Sequence, residues 1–260
     1  MGNSKQRAGK NLIVQGSILA IASIIVRLIG IIYRIPLTNI VGNEGMGYYG
    51  FAFEVYQFLV ILSTSAIPVA VSKLTAARVA RHEYKNAQAV FKCSIIFAAV
   101  LSGTLALTFV GARWISMVMF GGITEVAPAL RVLAPTVFVC AIMGVFRGYT
   151  QGLGNMAPTA FSQVVEQIFN AVVSVAAAAI LISRGAAFGA AGGTMGTFMG
   201  AVSSLVFLYL VYSSYRPQLA RRIKKDPTQK VLENKTIYRM IGMTILPLVL
   251  TSVFTRSAAL

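Results

Sequence analysis

Charge is what this chain has least of. Only 12% of its 260 residues are Asp, Glu, Lys or Arg, about half the share of a soluble domain, while 57% are hydrophobic. The charge is also one-sided, with 23 basic residues against 7 acidic ones for a net +16. Histidine occurs once, at His82, in a loop beside Arg81 and Glu83, and is a poor candidate for a ligand. Cysteine occurs twice, at Cys93 and Cys140, in separate apolar stretches. Without CxxC spacing these thiols carry no metal or redox signal and are read as small hydrophobes. HExxH, P-loop and nucleophile-elbow patterns are missing too, so nothing supports an enzyme, and no cofactor or metal is expected.

What is present is a series of long apolar runs. They lie at about Asn11–Tyr33, Tyr49–Ser72, Gln88–Val110, Ala127–Arg147, Thr159–Ile182 and Phe188–Tyr212, with a last one opening near Ile237. Each has roughly the 20 residues that a helix needs to cross about 30 Å of hydrocarbon. The expected architecture is therefore an all-α polytopic membrane protein with six complete spans and part of a seventh. A basic head (residues 1–10) precedes the spans, a basic linker (213–236) follows the sixth, and 237–260 is the last segment. The head lacks a small-residue cleavage site, and its apolar run is too long for a signal-peptide core.

Position decides what the basic excess means. The head, the Lys73–Lys92 loop, the turn at Arg147 and the Arg216–Arg239 loop hold 17 of the 23 basic residues, while the alternate loops hold only Arg34, Arg113 and Arg184. That alternation places the N-terminus in the cytoplasm. A nucleic-acid surface loses, because the charges form no single patch and accompany no groove-binding motif.

The stretch Arg147–Asn170, RGYTQGLGNMAPTAFSQVVEQIFN, reads as a turn through Gly148, Gly152 and Gly154 with a helix restarting at Pro158. On that helix Gln163, Glu166, Gln167 and Asn170 fall at i, i+3, i+4 and i+7, one polar face on an apolar cylinder. Further charge lies inside the spans. Arg27 sits well within the first, at a cost of ~3 kcal/mol on insertion scales. Arg34 follows seven residues later on the same face, about 10 Å away. Arg131 and Glu54 lie at similar depth. Two readings stand. Arg34 and Arg131 snorkel to the interface while Arg27 pairs with Glu54, or the arginines line a water-filled cavity and hold an anion, phosphate above all. In the sixth span Gly192, Gly196 and Gly200, reinforced by Gly189 and Gly193, form a small-residue ladder for close helix packing. Pro36, Pro68, Pro135 and Pro247 lie in or beside spans, where they would bend or break helices.

RLIGIIYRIPLTNIVGNEGMGYYG (27–50), STSAIPVAVSKL (63–74) and RGYTQGLGNMAPTAFSQVVEQ (147–167) resemble the polysaccharide-transporter branch of the multidrug/oligosaccharidyl-lipid/polysaccharide (MOP) flippase superfamily. The match is to the stage V sporulation protein B and lipid II flippase type. The resemblance implies a MATE-like transporter of two six-helix lobes around a central cavity, which moves a lipid-linked sugar precursor across the bacterial cytoplasmic membrane by alternating access. It implies that this chain is an N-terminal fragment: a six-helix lobe plus the first helix of a second lobe, whose partner is the missing C-terminal lobe of the same polypeptide. It also supports Arg27, and less directly Arg34, as cationic cavity residues. The second span departs from the Gram-negative branch, because its single charge is Glu54 where an arginine is expected. The expected substrate is a lipid-linked pyrophosphate sugar, lipid II-like, bound by Arg27, Arg34, Arg131, Glu54 and the Gln163/Glu166/Gln167/Asn170 face. A cation-coupled drug exporter would want an acidic residue on the first span, and Asn11–Tyr33 has none. A scaffold would gain nothing that offsets a buried arginine.

Overall fold

The computed structural model describes residues 2–61, 65–108, 111–119, 121–228 and 231–257. Among them the chain is helical throughout: α1 (Gly2–Ile61), α2 (Ile67–Val79), α3 (Tyr84–Thr108), α4 (Ala112–Met119), α5 (Ala127–Gly152), α6 (Ala157–Leu181), α7 (Ala186–Lys224) and α8 (Asn234–Ser257). Five stretches are long and apolar enough to cross a membrane, namely Val14–Ile61, Tyr84–Leu107, Thr124–Gly152, Ala157–Arg184 and Ala186–Lys224. The first has 48 residues, about 72 Å of helix and more than one crossing uses.

Three helix limits differ from the sequence expectation. The segment between the first two spans is not an open loop. Helix continues on both sides of Gly42, whose φ of 71° is the break in α1, a conformation that glycine adopts without strain. The second expected span is shared between the end of α1 and α2, with residues 62–64 outside the described ones. The sixth continues to Lys224, so residues 213–224 are helical.

The largest correction concerns the glycine turn. Of Gly148, Gly152 and Gly154 only the last has positive φ, at 85°. Gly148 and Gly152 lie inside α5, pressed on α2. A Cβ on Gly148 would come within 2.5 Å of the Pro68 carbonyl oxygen, and one on Gly152 within 2.6 Å of Thr75 Cβ. Both glycines serve close approach. The chain turns only over 153–156, where the Met156 N–H donates to Gln15 Oε1 of α1, and Pro158 stands in the first turn of α6.

The α6–α7 seam is built on the small-residue ladder. A Cβ on Gly192 would meet the Ala177 carbonyl oxygen at 2.6 Å, and one on Gly200 the Glu166 carbonyl oxygen at 2.6 Å. Across the same seam Ser174 Oγ donates to the Gly193 carbonyl at 2.7 Å. Backbone cannot yield as a side chain can, so Gly200→Val should destabilise by about 3 kcal/mol, the upper end for overpacking. Thermal unfolding of the detergent-solubilised protein measures this, and Gly103→Val, where nothing lies within 4 Å, is the matched control.

Beyond α7 the chain folds back as a strap. The Lys85 amide, at the start of α3, donates to Asp226 Oδ2 at 2.7 Å. Lys85 Nζ donates to the carbonyls of Asp226 and Thr228. The Leu232 amide donates to Asn86 Oδ1, and Asn86 Nδ2 to Glu83 Oε2, which also pairs with Arg78. Burial pushes the Asp226 carboxyl up, but hydrogen bonds from Thr228 and the Lys85 amide outweigh it and hold it below its ordinary value. A lowered carboxylate stabilises above its unfolded pKa and loses that contribution as pH falls through the folded value. The protection of the Lys85 and Thr228 amides against hydrogen exchange, taken relative to the free-peptide rate at each pH, should therefore be high at neutral pH and fall as Asp226 protonates in acid. Asp226→Asn should give the low protection at every pH.

Candidate functional site

Helix α6 carries the polar face expected from its spacing, and the helices around it engage most of that face. Glu166 Oε2 accepts from Arg147 Nη2 of α5 at 2.6 Å. The same Nη2 donates to Ser204 Oγ of α7 at 3.1 Å, and Arg147 Nε to Ser162 Oγ at 3.0 Å. One guanidinium thus ties three helices together, with Arg147 and Glu166 side chains only 11% and 27% exposed. One turn further along, Asn170 is buried, and its Oδ1 accepts from Ser174 Oγ at 3.0 Å. Gln167 reaches α1, its Nε2 lying 3.3 Å from where a Cβ on Gly30 would stand. Gln163 Oε1 is buried with no hydrogen-bond partner among the described residues. Nearby, the Tyr56 hydroxyl and Cys140 Sγ lie 3.4 Å apart.

Arg147 is the residue that spacing missed. At the end of an apolar run it reads as a flanking cytoplasmic charge. Because α5 continues to Gly152, Arg147 lies inside the bundle. The available signal was Glu166, an acid on an otherwise apolar helix that needs a cationic partner.

The other expected site residues form a separate group. Arg27, Arg34, Glu54 and Arg131 are all exposed on this bundle. Arg27 and Arg34 share their exposed side of α1 with Ile24, Ile31 and Ile35. Among the described residues the ion pairs are Arg78–Glu83 and Arg147–Glu166, so Arg27 and Glu54 do not pair within 4 Å. The structure therefore brings together Glu166, Gln163, Gln167 and Asn170 with their neighbours, and leaves the four span charges open.

Chemically, the two groups differ. Arg147 commits its Nε and Nη2 donors to a carboxylate and two hydroxyls, a network that holds α5, α6 and α7 in register. Among the described residues Arg27 and Arg34 keep planar donor forks uncommitted to any carboxylate, the condition for binding an oxyanion. Among the described residues no group of three or more His, Cys, Asp or Glu could hold a metal ion.

The same architecture occurs in solved transporters. The chain superposes on a MOP superfamily transporter from Pyrococcus furiosus with a TM-score of 0.69 at 21% identity, covering 91% of this chain and 52% of that one. It superposes on a MATE structure in the straight conformation with a TM-score of 0.71 at 21% identity, covering 90% and 52%. At these identities the likeness concerns the fold. Among curated proteins, stage V sporulation protein B of Bacillus subtilis (strain 168) is 28% identical over 240 residues, which are 92% of this chain and 46% of that protein. Lipid II flippase MurJ of the same organism is 25% identical over 238 residues, 86% and 44%. The chain spans about half the length of the curated relatives it matches. The family model for polysaccharide biosynthesis proteins matches residues 13–256. This chain is a multi-pass membrane protein of the polysaccharide biosynthesis protein family.

Proposed function

We propose that the polypeptide containing this chain is a membrane flippase for a lipid-linked pyrophosphate sugar, a lipid II-like peptidoglycan precursor, and that it works by alternating access. The observation that carries this reading is the pair Arg27 and Arg34. They lie on one exposed side of a membrane-spanning helix, and no carboxylate engages them among the described residues. Two planar cations about 10 Å apart, on a surface shared with Ile24, Leu28, Ile31 and Ile35, fit a pyrophosphate whose lipid tail stays in the bilayer. Arg131 adds a third cation, and Glu54 limits the net charge of the surface. This reading assigns the open side of α1 to a cavity that a second lobe completes. The Arg147–Glu166 network, with Asn170 and Gln167, keeps the first lobe rigid as the lobes rock. Gln163, with its unpartnered oxygen, is the member of that face left to meet substrate. A relative named as a lipid II flippase supports the same substrate class.

The test is complementation in cells depleted of their own lipid II flippase. Growth rescue supports the reading, whereas drug resistance without rescue would favour the exporter.

Orientation is part of the proposal. With the N-terminus in the cytoplasm, cysteines at the exposed His82 and Lys225 should be shielded from an impermeant thiol reagent in intact cells. A cysteine at the exposed Glu125 should be labelled. The native Cys93 and Cys140 are buried, so background labelling should be low. The inverse pattern would reverse the topology.

A further inference from the structure

Helix α7 does not stop where its apolar run stops. It continues to Lys224 and carries Arg216, Arg221, Arg222 and Lys224 on its last turns. Among the described residues no carboxylate pairs with any of them. Arg222 places its guanidinium carbon 5.8 Å from the centre of the Tyr84 ring. The aromatic face steadies that cation without using its N–H donors.

Beside Arg222 lies a cavity of about 160 Å³ between the end of α5, the 153–156 turn and α7. Tyr149, Asn155, Tyr212, Tyr215 and Arg222 line it. Asn155 Nδ2 donates to the Tyr215 hydroxyl at 3.3 Å, which fixes that wall. Tyr149 is fully buried, and its hydroxyl has no hydrogen-bond partner among the described residues.

A second cavity, of about 480 Å³, shares the Asn155, Pro158 and Tyr215 walls and runs along the α6–α7 seam onto Phe161, Phe207 and Val211. Phe161 is 61% exposed, on a helix that crosses the membrane. A compartment that carries the Arg222 cation therefore adjoins a groove walled by Phe161, Phe207 and Val211 that leads toward hydrocarbon.

We infer that this paired cavity binds one anionic phospholipid, with the phosphate headgroup at Arg222, Tyr215 and Asn155 and an acyl chain along Phe161 and Phe207. A soluble phosphate would need only the first compartment, and the adjoining groove is what selects a lipid. Basic pockets between helices at a membrane surface take anionic headgroups for this reason. The bound lipid would tie the cationic end of α7 to the α5–α6 turn. The inference needs the membrane-spanning fold alone and holds whichever substrate the protein moves.

The test uses purified protein in neutral detergent, with native mass spectrometry and thermal unfolding as readouts. The additives are phosphatidylglycerol, phosphatidylcholine, and glycerol 3-phosphate with inorganic phosphate. One phosphatidylglycerol should be retained and should raise the unfolding midpoint, with little effect from the others. Arg222→Gln should weaken retention about fivefold. Phe161→Ala should weaken it too, through the acyl chain. Arg81→Gln, an exposed arginine outside both cavities, should leave retention unchanged. Equal losses from Arg222→Gln and Arg81→Gln would overturn the site in favour of diffuse attraction. Equal retention of phosphatidylcholine would remove the role of the anion, and equal stabilisation by soluble phosphate would remove the lipid.

Discussion

Arg147→Ala should lower the unfolding midpoint of the purified protein sharply, and Arg147→Met combined with Glu166→Leu should recover most of the loss. The single change removes the donor that Glu166 meets at 2.6 Å and that Ser162 and Ser204 meet at 3.0 and 3.1 Å. A carboxylate is then left among three packed helices without its cation, at a cost of about 3 kcal/mol. The figure sits at the low end for a broken buried pair because the Glu166 side chain keeps 27% exposure. The double change leaves no charge behind, and well-packed apolar replacements of buried pairs are often neutral. Glu166→Gln should fall between, since its amide oxygen still accepts from Arg147. Thermal unfolding by circular dichroism in detergent reads all three. A double variant as unstable as Arg147→Ala would mean that the hydroxyl contacts, and not the charge pair, hold the helices.

The second large effect concerns Arg27. Arg27→Ala should reduce translocation about ten- to a hundredfold, which is what losing one charge-assisted contact of about 1.5–3 kcal/mol amounts to. Arg27 is exposed and forms no ion pair among the described residues, so membrane abundance should not change. Arg27→Lys keeps the charge but loses the planar fork, and should retain only part of the activity. Arg34→Ala and Arg131→Ala should give weaker versions of the same loss. Translocation of a fluorescent lipid-linked pyrophosphate in proteoliposomes, normalised to reconstituted protein, separates these outcomes. Arg27→Lys at full activity would reduce Arg27 to a point charge.

The all-α membrane class was legible because it depends on composition and run length, quantities that need no knowledge of neighbours. The glycine ladder of α7 was legible for a related reason, since its spacing of four marks one helix face wherever that face packs. Gly148 and Gly152 show where such reading fails. A glycine that permits a turn and a glycine that permits close approach are the same residue. Only the presence of Pro68 and Thr75 across the gap separates the two. Arg147 was misplaced by the same step, because ending the helix early moves its side chain from the interior to the flank. Its partner Glu166 was visible as an oddity on an apolar helix, but a separation of 19 positions along the chain hides the pairing. The segment around Gly42 read as a loop because it falls between two apolar runs. The break itself rests on the single positive φ at Gly42.

Arg27 either holds substrate or merely balances Glu54. The direct measurement is complementation by the polypeptide containing this chain, carrying Arg27→Ala together with Glu54→Ala, in cells depleted of their own lipid II flippase, with membrane abundance measured alongside. A substrate role predicts that the double variant accumulates normally and fails to restore growth. Restored growth would contradict it and leave Arg27 as a structural partner of Glu54.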